Sequence, residues 1–316
     1  MPGANVGARC TVIVLNYNGE EWLSGCLDSL ARQTGDPVET VVVDNASTDG
    51  SAALVTRKYP SVRFLPLDKN YGFSAANNVA LREALASGSE YALLLNNDTF
   101  VAEDFVSQMI SAMQADPRIA AVCPKIYFAE NPMLLWYAGA DFSLWTSRVT
   151  TRGWKQTDTT AFDVTQEISQ ATGCAMLLRC SALREVGLLD ENFWAYVEDL
   201  DLSVRLRGQG YRLVFAPLAH VWHWDGATTV KSLGSGSQEF RQYLSTRNML
   251  FLARKHLRWW QAPTFVFGFL LTHVAFYSAL RLWRRDFRAF FAVFKGLRDG
   301  LQPVQRGGMQ FAARKP

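Results

Sequence analysis

Leu93-Leu94-Leu95-Asn96-Asn97-Asp98-Thr99 decides how the rest of the chain is read. An apolar run of strand length ends in a polar cluster that closes on one carboxylate. In an open α/β sheet, ligands bind at the carboxyl ends of the strands. An acid there can hold a divalent cation against a diphosphate, because Mg²⁺ usually takes one or two carboxylates plus phosphate oxygens. Taken alone, the same letters describe a strand, an Asx turn and a helix starting near Ala102. The other loops of the chain decide between the two.

Strand and helix alternate around this segment. Thr11–Leu15, Glu39–Val43, Val62–Leu65, Tyr91–Leu95 and Ile119–Cys123 are apolar runs of strand length. Between them, Glu20–Arg32, the stretch behind Asp49, Ser74–Ala86 and Ala102–Gln114 carry apolar residues at helical spacing. This order predicts an α/β fold with a mainly parallel sheet and helices on both faces. From Pro132 to Gln170 the pattern loosens into short strands and a long loop able to cover a substrate. Ala175–Leu178 is a further strand, Leu200–Gly208 a helix and Tyr211–Phe215 extended.

Four polar clusters follow four successive strands: Asn16-Tyr17-Asn18-Gly19, Asp44-Asn45-Ala46-Ser47-Thr48-Asp49-Gly50, Asn70-Tyr71-Gly72-Phe73 with Asn78, and Asn96-Asn97-Asp98. Each alone is ordinary turn chemistry; four at one sheet edge make a site. No GxGxxG follows the first strand and no GxxxxGK[ST] occurs, so side chains and a metal must hold any nucleotide. Farther on, Phe193-Trp194-Ala195-Tyr196 precedes Glu198, Asp199 and Asp201. An aromatic wall beside a carboxylate suits a general base; first-turn acids are also favoured by the helix dipole. His223, near Gly226, is placed to reach the edge that Asp98 occupies.

Composition sets the bounds. The chain has 316 residues, 49% hydrophobic and 19% charged, as a globular protein should. Its five cysteines form no CxxC pair, which argues against a disulfide framework or a cysteine zinc site and suits a reducing compartment. Met1–Asn5 lacks the basic and apolar regions of a secretory signal. Residues 254–316 hold twelve Lys and Arg against two acids, a net +10, so the first 253 residues carry −7 of the chain's +3. Within this tail Pro263–Leu280 has no Asp, Glu, Lys or Arg. Phe287, Phe290, Phe291 and Phe294 then share one helical face. Basic flanks on both sides of the apolar stretch favour in-plane or re-entrant insertion over a span. A helix docked on the protein, or a dimer seam, would give the same pattern. The Ser232–Ser237 segment is a lid loop or a domain boundary by composition.

Together these motifs resemble the inverting family-2 glycosyltransferases of the GT-A fold, most closely the bacterial rhamnosyltransferase branch. The resemblance rests on Val12–Asn18, Val42–Gly50, Asn70–Phe73 with Asn78, Leu95–Thr99, Glu198–Asp201, His223 with Gly226, and Tyr243–Asn248, in family order over residues 10–250. It implies that Asp44 binds the base and ribose side of the donor, with Asn16 and Asn78 in the same pocket. Tyr17, Asn45, Asn70, Gly72, Phe73, Asn96 and Asn97 would complete the nucleotide-sugar site. Asp98 would bind Mg²⁺ or Mn²⁺, with His223 as second protein ligand. The family's first metal-motif acid is replaced here by Asn96. Asp199, 24 residues before His223, matches the catalytic base, and Arg247 a diphosphate or acceptor-phosphate contact.

The expected protein is thus an inverting transferase using a nucleotide-diphosphate sugar, dTDP-L-rhamnose first and UDP- or GDP-sugars as alternatives. Its acceptor would be a glycan or a lipid-linked sugar, its partner an anionic membrane surface at the cytoplasmic face, with no role for nucleic acid. Residues 1–235 would form the catalytic domain and 236–316 a helical membrane-associating region. A nucleotidyltransferase would need a basic loop after strand one, and Asn16–Glu20 has no Lys or Arg. A carbohydrate-binding protein on the same fold would not need Asp98, Asp199 and His223 together.

Overall fold

The computed structural model describes residues 10–35, 37–226 and 236–302. Most of the proposed lid segment therefore lies outside the described residues. The sheet is built on β1 (Cys10–Asn16), β2 (Val38–Asp44), β3 (Arg63–Pro66) and β4 (Tyr91–Asn96), which run parallel in the order β4-β1-β2-β3. Val12, Ile13 and Val14 of β1 and Leu93 and Leu94 of β4 are fully buried. Continuous apolar strands of this kind belong to sheets covered on both faces. Helices α1 (Glu20–Ala31), α2 (Ser51–Lys58) and α3 (Gly72–Ala86) connect these strands. Each buried Leu, Ile or Val in this layer contributes roughly 1.5–3 kcal/mol of transfer free energy.

The second half of the sheet is less regular than the sequence suggests. Strand β5 (Thr99–Val101) stands where a turn was expected, and α4 starts three residues after the expected Ala102, at Phe105, and runs to Gln114. The reason is tertiary: Thr99–Val101 pairs antiparallel with the end of β12 (Arg212–His223). Strand β6 (Ile119–Phe128) runs parallel to β12, while β11 (Ala175–Arg179) lies antiparallel between β4 and β6. The short strands expected between Pro132 and Gln170 are β7 (Asn131–Tyr137), the hairpin β8 (Ala140–Ser143) with β9 (Arg148–Thr151), and β10 (Gln166–Ile168). Helix α5 (Cys180–Val186) leads to α6 (Glu198–Gly208). Asp49 does not itself cap α2; Gly50 stands at the cap, and Asp49 Oδ1 accepts from the Ser51 amide at 3.1 Å.

Beyond residue 236 the chain is helical: α7 (Ser237–His256), α8 (Ala262–Phe269), a wide turn over Leu270–Phe276, α9 (Tyr277–Trp283) and α10 (Phe287–Leu301). These helices share a core with the α/β body. Phe142, Phe193 and Leu200 pack with Met249, Leu252, Phe265 and Phe269. Helix α10 approaches α7 through small residues. A Cβ on Gly296 would stand 2.5 Å from the Tyr243 carbonyl oxygen, and one on Gly300 3.0 Å from that of Arg247.

Candidate active site

The register of the parallel strands brings the polar clusters to one edge. Asn16 is opposite Asp44 across β1 and β2, and Leu15 is opposite Asn96 across β1 and β4. Asp44 is buried. Its Oδ1 accepts from Asn16 Nδ2 at 2.8 Å and from Ser47 Oγ at 2.6 Å, and its Oδ2 accepts from the Ser47 amide at 3.0 Å. Asn97 Nδ2 donates to Asn16 Oδ1 at 2.6 Å, so the first, second and fourth clusters form one network. Charge-assisted bonds of this kind fix the carboxylate's orientation. Tyr17 stands partly exposed beside it.

A second network shapes the neighbouring loop. Asn45 Nδ2 donates to Asn70 Oδ1 at 2.9 Å and to the Gly72 carbonyl at 3.2 Å, while Asn45 Oδ1 accepts from the Tyr71 amide at 2.8 Å. Gly72 has φ +80°, and a Cβ there would stand 2.5 Å from the Trp194 ring. Glycine is required on both counts.

Asp98 and His223 meet through the antiparallel register that sets His223 opposite Thr99. His223 Nε2 is 3.2 Å from Asp98 Oδ1, and both residues are 4% exposed. His223 belongs to β12 itself, not to the loop past Phe215, because β12 continues through an irregularity between Ala216 and His220. Burial works against charge on the ring, but the neighbouring Cys174 and Asp98 outweigh it and hold its pKa well above the ordinary value. One carboxylate and one imidazole suit Mg²⁺ or Mn²⁺ provided a diphosphate supplies further oxygens. Among the described residues no group of three or more His, Cys, Asp or Glu stands ready for a metal alone. Asn96 contributes through its backbone, its carbonyl accepting from Thr99 Oγ1 at 2.7 Å.

Asp199 sits in the first turn of α6. Its Oδ2 accepts from the Gly173 amide at 3.0 Å and its Oδ1 from the Leu200 amide at 2.7 Å. Gly173 adjoins Phe73, whose ring would be 3.1 Å from a Cβ placed there. Burial raises the Asp199 pKa above the ordinary carboxylate value against the pull of these amides. Glu198 is buried beside it; desolvation first, and then the Asp199 charge, push it well upward. Among the described residues its Oε2 has no hydrogen-bond partner.

Two expected contacts are placed elsewhere. Asn78 Nδ2 donates to the Leu189 carbonyl at 2.8 Å and to Glu191 Oε1 at 3.0 Å, and its Oδ1 accepts from the Leu189 amide at 3.1 Å. The buried Asn78 amide thus anchors the chain before residue 192 instead of lining the Asp44 pocket. Arg247 is buried as well, and Nη2 donates to the carbonyls of Phe193 at 3.0 Å and Asn192 at 3.3 Å, not toward the open edge. The motif reading missed Ser47 and Asn248. Ser47 was legible as the Asx-turn partner of Asp44; Asn248 carried no signal beyond its place next to Arg247.

A glycosyltransferase of the GT-A type is the class that this fold and edge define. A family model described as "Glycosyl transferase family 2" matches residues 11–187, and the chain belongs to that family. It is 28% identical over 271 residues to an N-acetylglucosaminyl-diphospho-decaprenol L-rhamnosyltransferase of Mycobacterium tuberculosis, spanning 80% of this chain and 86% of the relative. It is 25% identical over 216 residues to a poly-beta-1,6-N-acetyl-D-glucosamine synthase of Staphylococcus aureus, spanning 67% of this chain and 49% of that one. Among solved structures it is similar in fold to GalNAc-T7 with UDP, GalNAc and Mn²⁺, at TM-score 0.57 and 14% identity over 84% of this chain and 58% of the other. It is similar too to a mannosyltransferase of Pyrobaculum calidifontis in complex with GDP-Man and Mn²⁺, at TM-score 0.53 and 17% identity over 93% and 88%.

Proposed function

We propose that this protein moves a sugar, L-rhamnose first, from a nucleotide-diphosphate donor to a hydroxyl of a lipid-linked sugar, with inversion. The observation that carries the reading is that Asp199 sits beside Phe73 on the loop edge where the Asp44 network and the Asp98–His223 pair also lie. Asp44, Asn16 and Asn97 would orient the nucleotide. Asp98 and His223 would hold a divalent cation, whose charge would offset that of the diphosphate. Asp199 takes the proton from the acceptor hydroxyl. That oxygen forms the new bond to the anomeric carbon as the bond to the diphosphate oxygen breaks, and the nucleoside diphosphate leaves. General-base action of this kind is worth about 10²–10⁴-fold in rate. The rhamnosyl donor and the lipid acceptor are suggested by the mycobacterial relative's name.

The helical region supports a membrane-surface location. Trp259–Trp283 is long and apolar enough by composition to cross a bilayer. Yet parts of it are anchored to the rest of the chain, while Phe267, Leu271, Phe276 and Trp283 stay exposed. Phe265 and Phe269 are buried, a Cβ on Gly268 would be 2.1 Å from the Thr146 carbonyl oxygen, and Arg281 Nη2 donates to Gln238 at 2.8 Å. A helix partly docked on its own chain is suited to the membrane plane, not to a crossing. In α10 the small residues Ala289, Ala292, Val293 and Gly296 face inward, while Phe287, Phe291 and Phe294 face out. Residues 1–235 would then do the chemistry, and 236–316 would set the enzyme on an anionic surface at the cytoplasmic face.

A panel of nucleotide sugars tests the donor. Hydrolysis of dTDP-L-rhamnose in the presence of Mn²⁺ or Mg²⁺, above that of UDP- and GDP-sugars, supports the reading. Preference for another nucleotide redirects the donor assignment, and no hydrolysis of any contradicts the activity.

A further inference from the structure

The residues just before Asp199 adopt a backbone that their side chains resist. Trp194, Tyr196 and Val197 have φ of +63°, +64° and +73°. Left-handed conformations are uncommon outside glycine and most strained for a β-branched residue such as Val197. Such a run persists only where its surroundings hold it. The run packs against Phe240, Tyr243 and Leu244, and one side chain meets three of the carbonyls in and beside it. Asn248 Nδ2 donates to the carbonyls of Phe193 at 2.8 Å, Ala195 at 2.8 Å and Tyr196 at 2.7 Å. Asn248 is 0% exposed, so its own amide is withdrawn from water and spends its N–H groups on these carbonyls. Arg247 Nε donates to Asn248 Oδ1 at 2.8 Å, which fixes which end of the amide faces the loop.

The strained run is joined to both halves of the site. The Trp194 carbonyl accepts from the amides of Phe73 at 2.7 Å and Ser74 at 3.1 Å, at the start of α3. The Val197 carbonyl accepts from the Asp201 amide at 2.9 Å, which closes the first turn of α6 around Asp199. Moving residues 194–197 would therefore move the Trp194 ring off Gly72 and turn Asp199 away from Gly173.

We propose that Asn248, oriented by Arg247, is a positioning residue that holds the strained 194–197 backbone so that Asp199 is aimed for proton transfer. The proposal rests on the reading of Asp199 as the base. Because Asn248 belongs to α7, against which α10 packs, the helices expected at the membrane surface and the catalytic loop share one support.

The test uses the full chain with Asn248→Ala, Val197→Gly and the double variant. Amide hydrogen exchange over residues 192–200 is read without substrate. Initial rates are read with dTDP-L-rhamnose and a short-chain N-acetylglucosaminyl diphosphate lipid. Asn248→Ala should speed exchange in this segment while the β1–β4 amides stay protected. It should lower kcat by about 10-fold or more with the donor KM within about 3-fold, as expected for misaimed chemistry with binding retained. Val197→Gly, which removes the strain at one position, should restore part of both losses in the double variant. Unchanged exchange at 192–200 in Asn248→Ala overturns the proposal. So does a drop in rate that merely follows a lost folded fraction, with no recovery in the double variant. If the wild type shows no transfer with this pair, the substrate reading fails, while the exchange data still decide the clamp.

Discussion

Asp98 and His223 lie 125 residues apart in the chain, yet His223 Nε2 stands 3.2 Å from Asp98 Oδ1 because β5 and β12 pair in antiparallel register. If this pair holds the cation, as proposed, two protein ligands would leave most of a six-coordinate cation to the diphosphate. Metal and donor binding should therefore be interdependent. Asp98→Ala and His223→Ala should each weaken dTDP binding in Mn²⁺ by about 10-fold or more, with little effect in EDTA, where the wild type is already weak. Calorimetry with and without Mn²⁺ measures this. Equal dTDP affinity in Mn²⁺ and EDTA would show that the pair holds no metal.

Burial raises the pKa of Asp199 and, further, that of Glu198. The two titrate as a pair. A base must be deprotonated, so kcat/KM should rise with pH, its acid limb lying above the ordinary Asp value of about 4. The stability term has the opposite sign. A raised folded-state pKa means the native protein binds the proton more tightly, so this contribution is full below the unfolded pKa and is lost as pH rises. Glu198→Gln should flatten that decline in a pH series of denaturant melts. A decline as steep as the wild type's would remove Glu198 from the account.

Gly72 has no room for a side chain beside Trp194. Gly72→Ala should cost on the order of 1–3 kcal/mol from its left-handed φ, before the clash is counted. A thermal melt reads the loss, and Trp fluorescence should report displacement of Trp194. An unchanged melting temperature would contradict the packing described.

Trp283 is 80% exposed and Phe267 71% exposed, in a chain whose last 63 residues carry +10. Each Lys or Arg near an anionic surface is worth about 1 kcal/mol, and the aromatic side chains add apolar burial. The protein should sediment with phosphatidylglycerol vesicles, less so as salt rises. Phe267→Asp with Trp283→Asp should abolish most of that binding without lowering the melting temperature. Deletion of 258–316 is a poorer test, because it would uncover the face of α7 that α10 covers. Binding that ignores both substitutions would place the contact elsewhere.

The apolar runs Val12–Leu15 and Ala92–Leu95 announced the parallel core, since strands buried on both faces leave an unbroken hydrophobic signature. The clusters at Asn16, Asp44, Asn70 and Asn97 were legible for a related reason: in alternating α/β chains, strand ends converge on one edge. Strand β5 was not, because three residues carry no periodicity and its pairing depends on β12. The sequence also hid the role of Asn248. Its three carbonyl partners are 52 to 55 residues away and point at it only because Trp194, Tyr196 and Val197 are left-handed, which their side chains do not suggest. The same geometry turned Arg247 from an expected phosphate contact into support for that loop.

Asp199→Asn tests the central claim most directly. The variant keeps the shape of the carboxylate and one acceptor oxygen for the Gly173 amide, but it cannot take a proton. Steady-state transfer from the preferred nucleotide sugar to a lipid-linked acceptor should fall by at least about 10²-fold while dTDP affinity in Mn²⁺ stays near that of the wild type. Transfer within a few-fold of the wild type would show that Asp199 is not the base.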